Sequence, residues 1–316
     1  MKKNFTAQIA RRSGAPELLA QLAERLSPSE LNSLLLEVFH RQVQTLTPGQ
    51  VLAAYRNNPL VQPSGVDSVG FREFECLWLK KASSAGFQSV ELGPVSPLGS
   101  CSVFGAVHQN KVLSALRGAE VTADATNLRA LESSRRRQEQ GFPPNALHFS
   151  CAHRHLRTQR LTQPGFTPHF GVFCLSSAGR DTGNFYFEKE HLTRHLKFYL
   201  DLLHDDPAGA RCTILLKSLD TPGQPNRLCE QLEVHLRRSF PGFPLEILHL
   251  DQSGHQYYRS VQFGLIWQYC DAQLPIVDGG FTDWTQALTS NRKERFLSSG
   301  IGLELLWKFR NGYFSN

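Results

Sequence analysis

Ser299-Gly300-Ile301-Gly302-Leu303-Glu304-Leu305-Leu306 is the stretch on which the reading of this chain turns. Taken alone it reads as a capped amphipathic helix entered through two glycines. Upstream of it, Asp278-Gly279-Gly280-Phe281-Thr282-Asp283 carries paired glycines, whose missing Cβ lets a backbone approach a ligand closely. Further back, Val261, Phe263, Leu265 and Trp267 alternate with Ser260, Gln262, Gly264 and Gln268. A period of two is that of a strand with one buried face. Leu192, Leu196, Leu200 and Leu203 mark a helix, and so do Leu228, Leu232 and Leu236. Strand-rich segments interrupted irregularly by helices predict an α+β fold with a mostly antiparallel sheet flanked by helices.

Toward the N-terminus the strand signal is lost. Ser27-Pro28-Ser29-Glu30 is a capping box with proline at the first helical position, and Thr47-Pro48-Gly49-Gln50 repeats the start signal. Leu31, Leu34, Leu35 and Val38 form one face of the helix between them, and Leu18, Leu19, Leu22 and Leu26 suggest an earlier one. Residues 1–62 therefore read as an N-terminal helical extension. The Pro63 to Gly65 stretch separates it from a core domain over 63–316, which opens with a helix bearing Phe71, Phe74, Leu77 and Trp78.

A chain of 316 residues buries roughly 75% of the surface of its unfolded form, so disulfides are not needed. The seven cysteines contain no C-x-x-C pair and read as free, mostly buried thiols in a reducing cytoplasm. No secretory signal and no membrane-length apolar run is present. A formal charge of +6 permits contact with an anion such as ATP or RNA without demanding one. Arg135-Arg136-Arg137 reads as a solvated helix end. His153, His155, Arg157 and Gln159 share one strand face. The two histidines lack a further metal ligand at a convincing spacing, so no metal site is assigned.

Between Phe71 and Phe309 a series of short segments, in order, resembles the signature blocks of histidyl-tRNA synthetase, a class II aminoacyl-tRNA synthetase. The helix at Phe71 and the segment Gly86-Phe87-Gln88-Ser89-Val90-Glu91-Leu92-Gly93-Pro94 resemble the first class motif, whose strand ends in proline at the dimer interface. Leu116-Arg117-Gly118-Ala119-Glu120-Val121-Thr122 is similar to the Leu-Arg-Pro-Glu-x-Thr segment, so the resemblance gives Glu120, beside Arg117, the substrate's α-ammonium group. Leu156-Arg157-Thr158-Gln159, a loop through Pro164-Gly165, and His169-Phe170-Gly171-Val172-Phe173 resemble the second motif. There Arg157 would contact the α-phosphate, Phe173 would stack on adenine and His169 would reach the terminal phosphates of ATP, with Mg²⁺ as companion. A guanidinium suits the first role because its charge is permanent and its donors form a fixed fork. Gly254-His255-Gln256-Tyr257-Tyr258 and Asp278-Gly279-Gly280 resemble two segments of the histidyl branch, which would make Tyr257, Tyr258, Gly279 and Gly280 substrate-binding. Ser299 to Leu306, with Glu304 toward the nucleotide, is similar to the third motif's Gly-Ile-Gly-Leu-Glu-Arg-Leu.

Three departures fall where that family does chemistry. Leu305 and Ser253 stand where it has arginines, and Phe281-Thr282 where it has Arg-Tyr. Losing a preorganised cation typically costs several kcal/mol of transition-state stabilisation. His255-Gln256 replaces Leu-Asp ahead of the tyrosines, and the chain ends at Asn316, without room for an anticodon-binding domain. The expectation is a homodimer, joined through Phe71 to Pro97, that binds an amino acid or analogue without charging tRNA. Such a protein would resemble the regulatory subunit of the short ATP phosphoribosyltransferase and have a protein partner. The alternative is an ATP-dependent ligase that adenylates a carboxylate and passes it to another acceptor. In that case Arg180 or Arg259 would replace the missing cation.

Overall fold

Capping chemistry sets where the first helices begin. In this computed structural model, which describes residues 5–159, 166–204, 211–220, 225–251, 257–269 and 272–314, α1 (Phe5–Arg12) and α2 (Leu18–Ala20) come first. They are followed by α3 (Pro28–Val43) and α4 (Pro48–Asn57). Ser27 Oγ accepts from the Glu30 backbone N–H, and the Glu30 carboxylate accepts from the Ser27 N–H at 2.8 Å. Thr47 and Gln50 repeat the arrangement. From Phe5 to Val61 only Ala10 is buried among the described residues. Leu34, Val38, Phe39, Val51, Leu52 and Tyr55 are all exposed. Hydrogen bonds from the Arg117 N–H to Asn32 Oδ1 (2.6 Å) and between His169 Nε2 and the Gln62 carbonyl (2.5 Å) tie this extension to the core.

The core begins with α5 (Ser68–Ser84), capped by Asp67, whose carboxylate accepts from the Gly70 N–H. In chain order there follow β1 (Gln88–Ser89), β2 (Val95–Pro97), β3 (Ser114–Ala115), β4 (Ala119–Val121), α6 (Ala125–Glu139), β5 (Leu147–Leu156) and β6 (His169–Arg180). Then come α7 (Tyr186–His204), β7 (Arg211–Asp220), α8 (Arg227–Ser239), β8 (Leu245–Asp251) and β9 (Val261–Tyr269). The last elements are β10 (Ala272–Thr282), α9 (Trp284–Thr289), β11 (Glu294–Ile301) and α10 (Leu303–Arg310). Eight strands form one sheet in the order β1-β5-β6-β11-β10-β9-β7-β8. Only the outermost pairings, β1 with β5 and β7 with β8, are parallel. A small second sheet runs β2-β4-β3.

The sheet lies between two helical layers. On one face α5, α7, α8 and α10 pack against Phe173, Leu175, Ile214, Leu216, Phe263 and Leu265 to make the main core. The alternation read along β9 holds: Val261, Phe263, Leu265 and Trp267 are all fully buried. The leucines read in α7 and α8 join the same core. On the other face α6 and α9 cover only part of the sheet, with Ala130, Ala178, Trp284 and Phe296 at their contact.

Two expectations are corrected here. The Gly86 to Pro94 segment pairs only at Gln88 and Ser89, with one further bond from the Val90 N–H to the Ser150 carbonyl, before the chain leaves the sheet edge. The arginine run is not a uniformly solvated helix end. Arg135 and Arg136 pair with Glu132 and Glu139, but Arg137 is fully buried in an ion pair with Glu294 and also donates to the Asn145 and Pro143 carbonyls. Of the cysteines, Cys76 is exposed and Cys101, Cys151, Cys174, Cys212 and Cys229 are buried free thiols, while Cys270 lies outside the described residues. Among the described residues no helix is long and apolar enough to cross a membrane.

Candidate functional site

Where α6 and α9 leave the sheet uncovered, a cavity of about 440 Å³ opens. Asp124 enters it as the N-cap of α6, Oδ1 accepting from the Thr126 N–H at 2.8 Å. Its other oxygen accepts from the Tyr257 hydroxyl at 2.6 Å. The Tyr257 ring is clamped between Tyr258 (4.6 Å between ring centroids) and Trp284 (4.9 Å). Tyr258 in turn donates to Asp278 Oδ2 at 2.9 Å, and Gln262 Nε2 donates to Asp278 Oδ1 at 2.5 Å. Adjacent tyrosines thus each hold one carboxylate on the wall of a single cavity.

The electrostatics follow from these contacts. Burial alone would raise the Asp124 carboxyl, but the His155 ring, the Tyr257 hydroxyl and the Arg157 guanidinium outweigh it and hold its pKa below the usual range. Burial raises Asp278, and the Gln262 and Tyr258 bonds offset only part of that. Burial and the nearby carboxylates push both tyrosines well above the ordinary phenol range, so they stay donors. His155 Nε2 accepts from the Ala125 N–H at 2.9 Å, which fixes the ring in the cavity wall. Ser299, also on the wall, is held from behind by His195 Nδ1 (2.8 Å) and the Tyr199 hydroxyl (3.1 Å).

At the mouth Arg157 lies over the Phe170 ring, 5.4 Å from its centroid. Both residues, with Gly302, also line an adjoining cavity of about 280 Å³ whose other walls include Gln159, Phe166, Leu305 and Lys308. Glu304 borders this second space and helps to fasten it. Its carboxylate accepts from the Gly171 N–H at 3.0 Å, pairs with Arg154 at 2.9 Å and pairs with Lys308 at 2.9 Å. A larger open groove of about 840 Å³, lined by Lys81, Arg194 and Lys197, lies on the α5–α7 side and shares no residue with either cavity.

The structure brings together Arg157, Tyr257 and Tyr258, and sets Glu304 beside them. It places other expected residues elsewhere. Glu120 is buried in the small sheet, accepting from the Gly99 and Cys101 N–H groups (2.9 Å each) and from Gln109 (2.8 Å), and does not line the cavity. Asp124 occupies the cavity instead. Arg117 is exposed in the β3–β4 turn with φ 68°. Phe173 faces the main core, stacked on Phe198 and edge-on to Trp78, because one residue of parity separates the two faces of a strand. Phe170 is the ring on the cavity side. His169 is turned to Gln62 and Arg154, away from the cavity.

Gly279 and Gly280 accommodate protein rather than ligand. A Cβ at Gly279 would lie 2.5 Å from the Phe263 ring, and one at Gly280 2.6 Å from the Tyr258 ring. Arg259 is paired with Asp283 and Arg180 lines a separate cavity, so neither replaces the missing cation, while Lys308 borders the second cavity beside Leu305. The rings of His153 and His155 are 5.9 Å apart, but each is bonded elsewhere, His153 to the Gly93 carbonyl. Ser253, Gly254, His255, Gln256 and the Pro164-Gly165 loop lie outside the described residues. Sequence reading missed Asp124, Asp278, Phe170 and Lys308. Asp124 had a signal: an Asp two residues before Thr126, at the start of a helical pattern, is an N-cap.

Comparison with known proteins places the fold. No family model matches the sequence, and no curated protein matches it. Among solved structures, apo histidyl-tRNA synthetase of S. aureus aligns over 79% of this chain and 70% of its own, at TM-score 0.57 and 14% identity. A Bacillus halodurans structure described as an ATP phosphoribosyltransferase regulatory subunit/histidyl-tRNA synthetase aligns over 78% and 80%, at TM-score 0.58 and 12% identity. The RNA binding domain of threonyl-tRNA synthetase from Cryptosporidium parvum aligns over 75% of this chain and 62% of its own, at TM-score 0.59 and 9% identity. The chain has a class II aminoacyl-tRNA synthetase-like core.

Proposed function

We propose that this protein binds an amino acid or a closely related amine-bearing metabolite in the cavity between Asp124 and Asp278, and that it does not charge tRNA. The observation that carries the reading is the pair of tyrosine-held carboxylates. Two carboxylates face one guanidinium there, Arg157 at the mouth. The two carboxylates favour an ammonium group between them, with Arg129 behind Ser298 offsetting part of their charge, and Arg157 suits a carboxylate or phosphate at the entrance. Leu305 supports the non-charging part, since that position of the third motif contributes no cation. One of the similar structures bears the name of a regulatory subunit, and a regulatory role in a cytoplasmic homodimer with a protein partner belongs to this proposal. The apolar side chains exposed on α3 and α4 support association. Calorimetric titration with a panel of amino acids and amines tests the binding. Saturable binding that is lost in Asp124→Asn supports it, and no heat from any amine, with the wild-type protein folded, overturns it.

The alternative is a repurposed ligase that adenylates a carboxylate using ATP and Mg²⁺. It is favoured by the second cavity, where the Phe170 ring and the Arg157 guanidinium suit a base and a phosphate. Glu304 would act there by positioning Gly171 and Lys308 rather than by touching nucleotide. Exchange of pyrophosphate into ATP that depends on an added carboxylate and vanishes in Arg157→Ala supports the ligase. Absence of exchange with every amino acid that binds leaves the binding function.

A further inference from the structure

A further cavity of about 360 Å³, sharing no residue with the amine site, lies where β5 and β6 meet the first turns of α7. Its walls include His148, Arg180, Thr182, Tyr186, Glu190 and His191. Arg180 closes the end of β6, and among the described residues its guanidinium has no hydrogen-bond or ion-pair partner. His191 is 4% exposed; its Nδ1 is sealed off with no partner, which leaves Nε2 as the ring nitrogen for a ligand. The His148 ring lies 5.0 Å from the His191 ring. His148 Nδ1 is already engaged with Ser177 Oγ at 2.9 Å, so Nε2 is the nitrogen left for a ligand. Tyr186, Glu190 and His191 belong to the first two turns of α7, a helix of 19 residues whose N-terminal end carries positive partial charge.

We infer that this cavity is a binding site for the phosphate group of a small phosphate monoester, distinct from the amine site. An unpaired guanidinium, the His148 and His191 rings and a helix N-terminus border one cavity, and the guanidinium and helix end suit a tetrahedral oxyanion. The volume falls within the ~300–1,000 Å³ of small-ligand sites, leaving space beyond the phosphate for the group that carries it. Burial holds both rings near pKa 4, helped at His148 by His191 and Arg194 and at His191 by Arg194. Empty, both rings are neutral at pH 7, and His148 donates through Nε2 when its Nδ1 accepts from the Ser177 hydroxyl. Glu190, which faces the Tyr186 hydroxyl, is the opposing charge on the wall. It limits affinity and favours a ligand that directs its phosphate toward Arg180.

The test is a titration of histidine-ring ¹³C-labelled protein with glycerol 3-phosphate and, separately, inorganic phosphate, followed by NMR. His148→Gln and His191→Gln assign the signals. Expected are saturable shifts of both rings, binding of the monoester at least as tight as that of inorganic phosphate, at least tenfold weaker binding in Arg180→Ala, and tighter binding in Glu190→Gln. Unmoved His148 and His191 signals with both probes overturn the inference, as does unchanged affinity in Arg180→Ala. The other histidine signals report whether that variant is folded. Tighter inorganic phosphate than monoester overturns the ligand class. None of these readouts depends on whether the amine site binds anything.

Discussion

Asp124 and its tyrosine show what one residue can decide. Replacing the carboxylate by an amide keeps the shape but removes the charge, and charge-assisted hydrogen bonds contribute ~1.5–3 kcal/mol. Asp124→Asn should therefore weaken amine binding by roughly 10- to 100-fold, and Tyr257→Phe by about 5-fold, both measured by calorimetry. Gly280→Ala should displace the Tyr258 ring, whose nearest atom would lie 2.6 Å from the new Cβ. The expected result is a loss of ligand affinity larger than the loss of stability, and an unchanged affinity would sink the idea that Tyr258 positions Asp278. The tyrosines were legible because they stand in a short ordered string, whereas the paired glycines, read for a ligand, make room for Phe263 and Tyr258. Glu120 and Phe173 were misplaced for a physical reason. A side chain's face depends on strand parity, and a hairpin loop of unspecified register hides that parity. The pairing of His155 with Phe170 resolves it only once the strands are seen side by side.

At the scale of elements, α6 is fastened to β11 by the fully buried Arg137–Glu294 pair. Breaking such a pair leaves an uncompensated charge and costs ~3–5 kcal/mol. Glu294→Ala should lower the unfolding free energy measured by denaturant titration by that amount, while Glu139→Ala, on the exposed Arg135 pair, should change it hardly at all. Gly279→Ala, overpacking Phe263 between β9 and β10, should cost ~1–3 kcal/mol. The elements best read from sequence were those with a single environment along their length, such as β9 with one buried face and α3 with its capping box. The two-residue β1 and the small β2-β4-β3 sheet gave little signal, because short edge strands carry too few alternations to declare themselves.

For the whole molecule, the α+β class followed from the mixture of periods, and the strand order did not, since pairing partners lie far apart in the chain. Stability should depend on pH through the cavity histidines. Burial depresses His148 and His191 to about 4 from the ordinary 6.5. Between these values the unfolded chain binds more protons than the native one, so stability rises with pH. The contribution is fully present above about pH 6.5 and is lost as pH falls toward 4. Thermal melts from pH 7 to pH 5 should show this slope, and the His148→Gln/His191→Gln double variant should reduce it, the buried His195 and the depressed His235 keeping the remainder. The place of β11 has another consequence. Residues 294–301 are synthesised after every other strand of the sheet, yet they fill its middle, between β6 and β10. A nascent chain lacking them holds two half-sheets with open edges, and open edges recruit other strands. The protein must therefore stay unassembled, and in need of shielding by chaperones, until translation has passed Ile301. A premature stop anywhere before that point would yield an aggregating fragment rather than a smaller version of the fold.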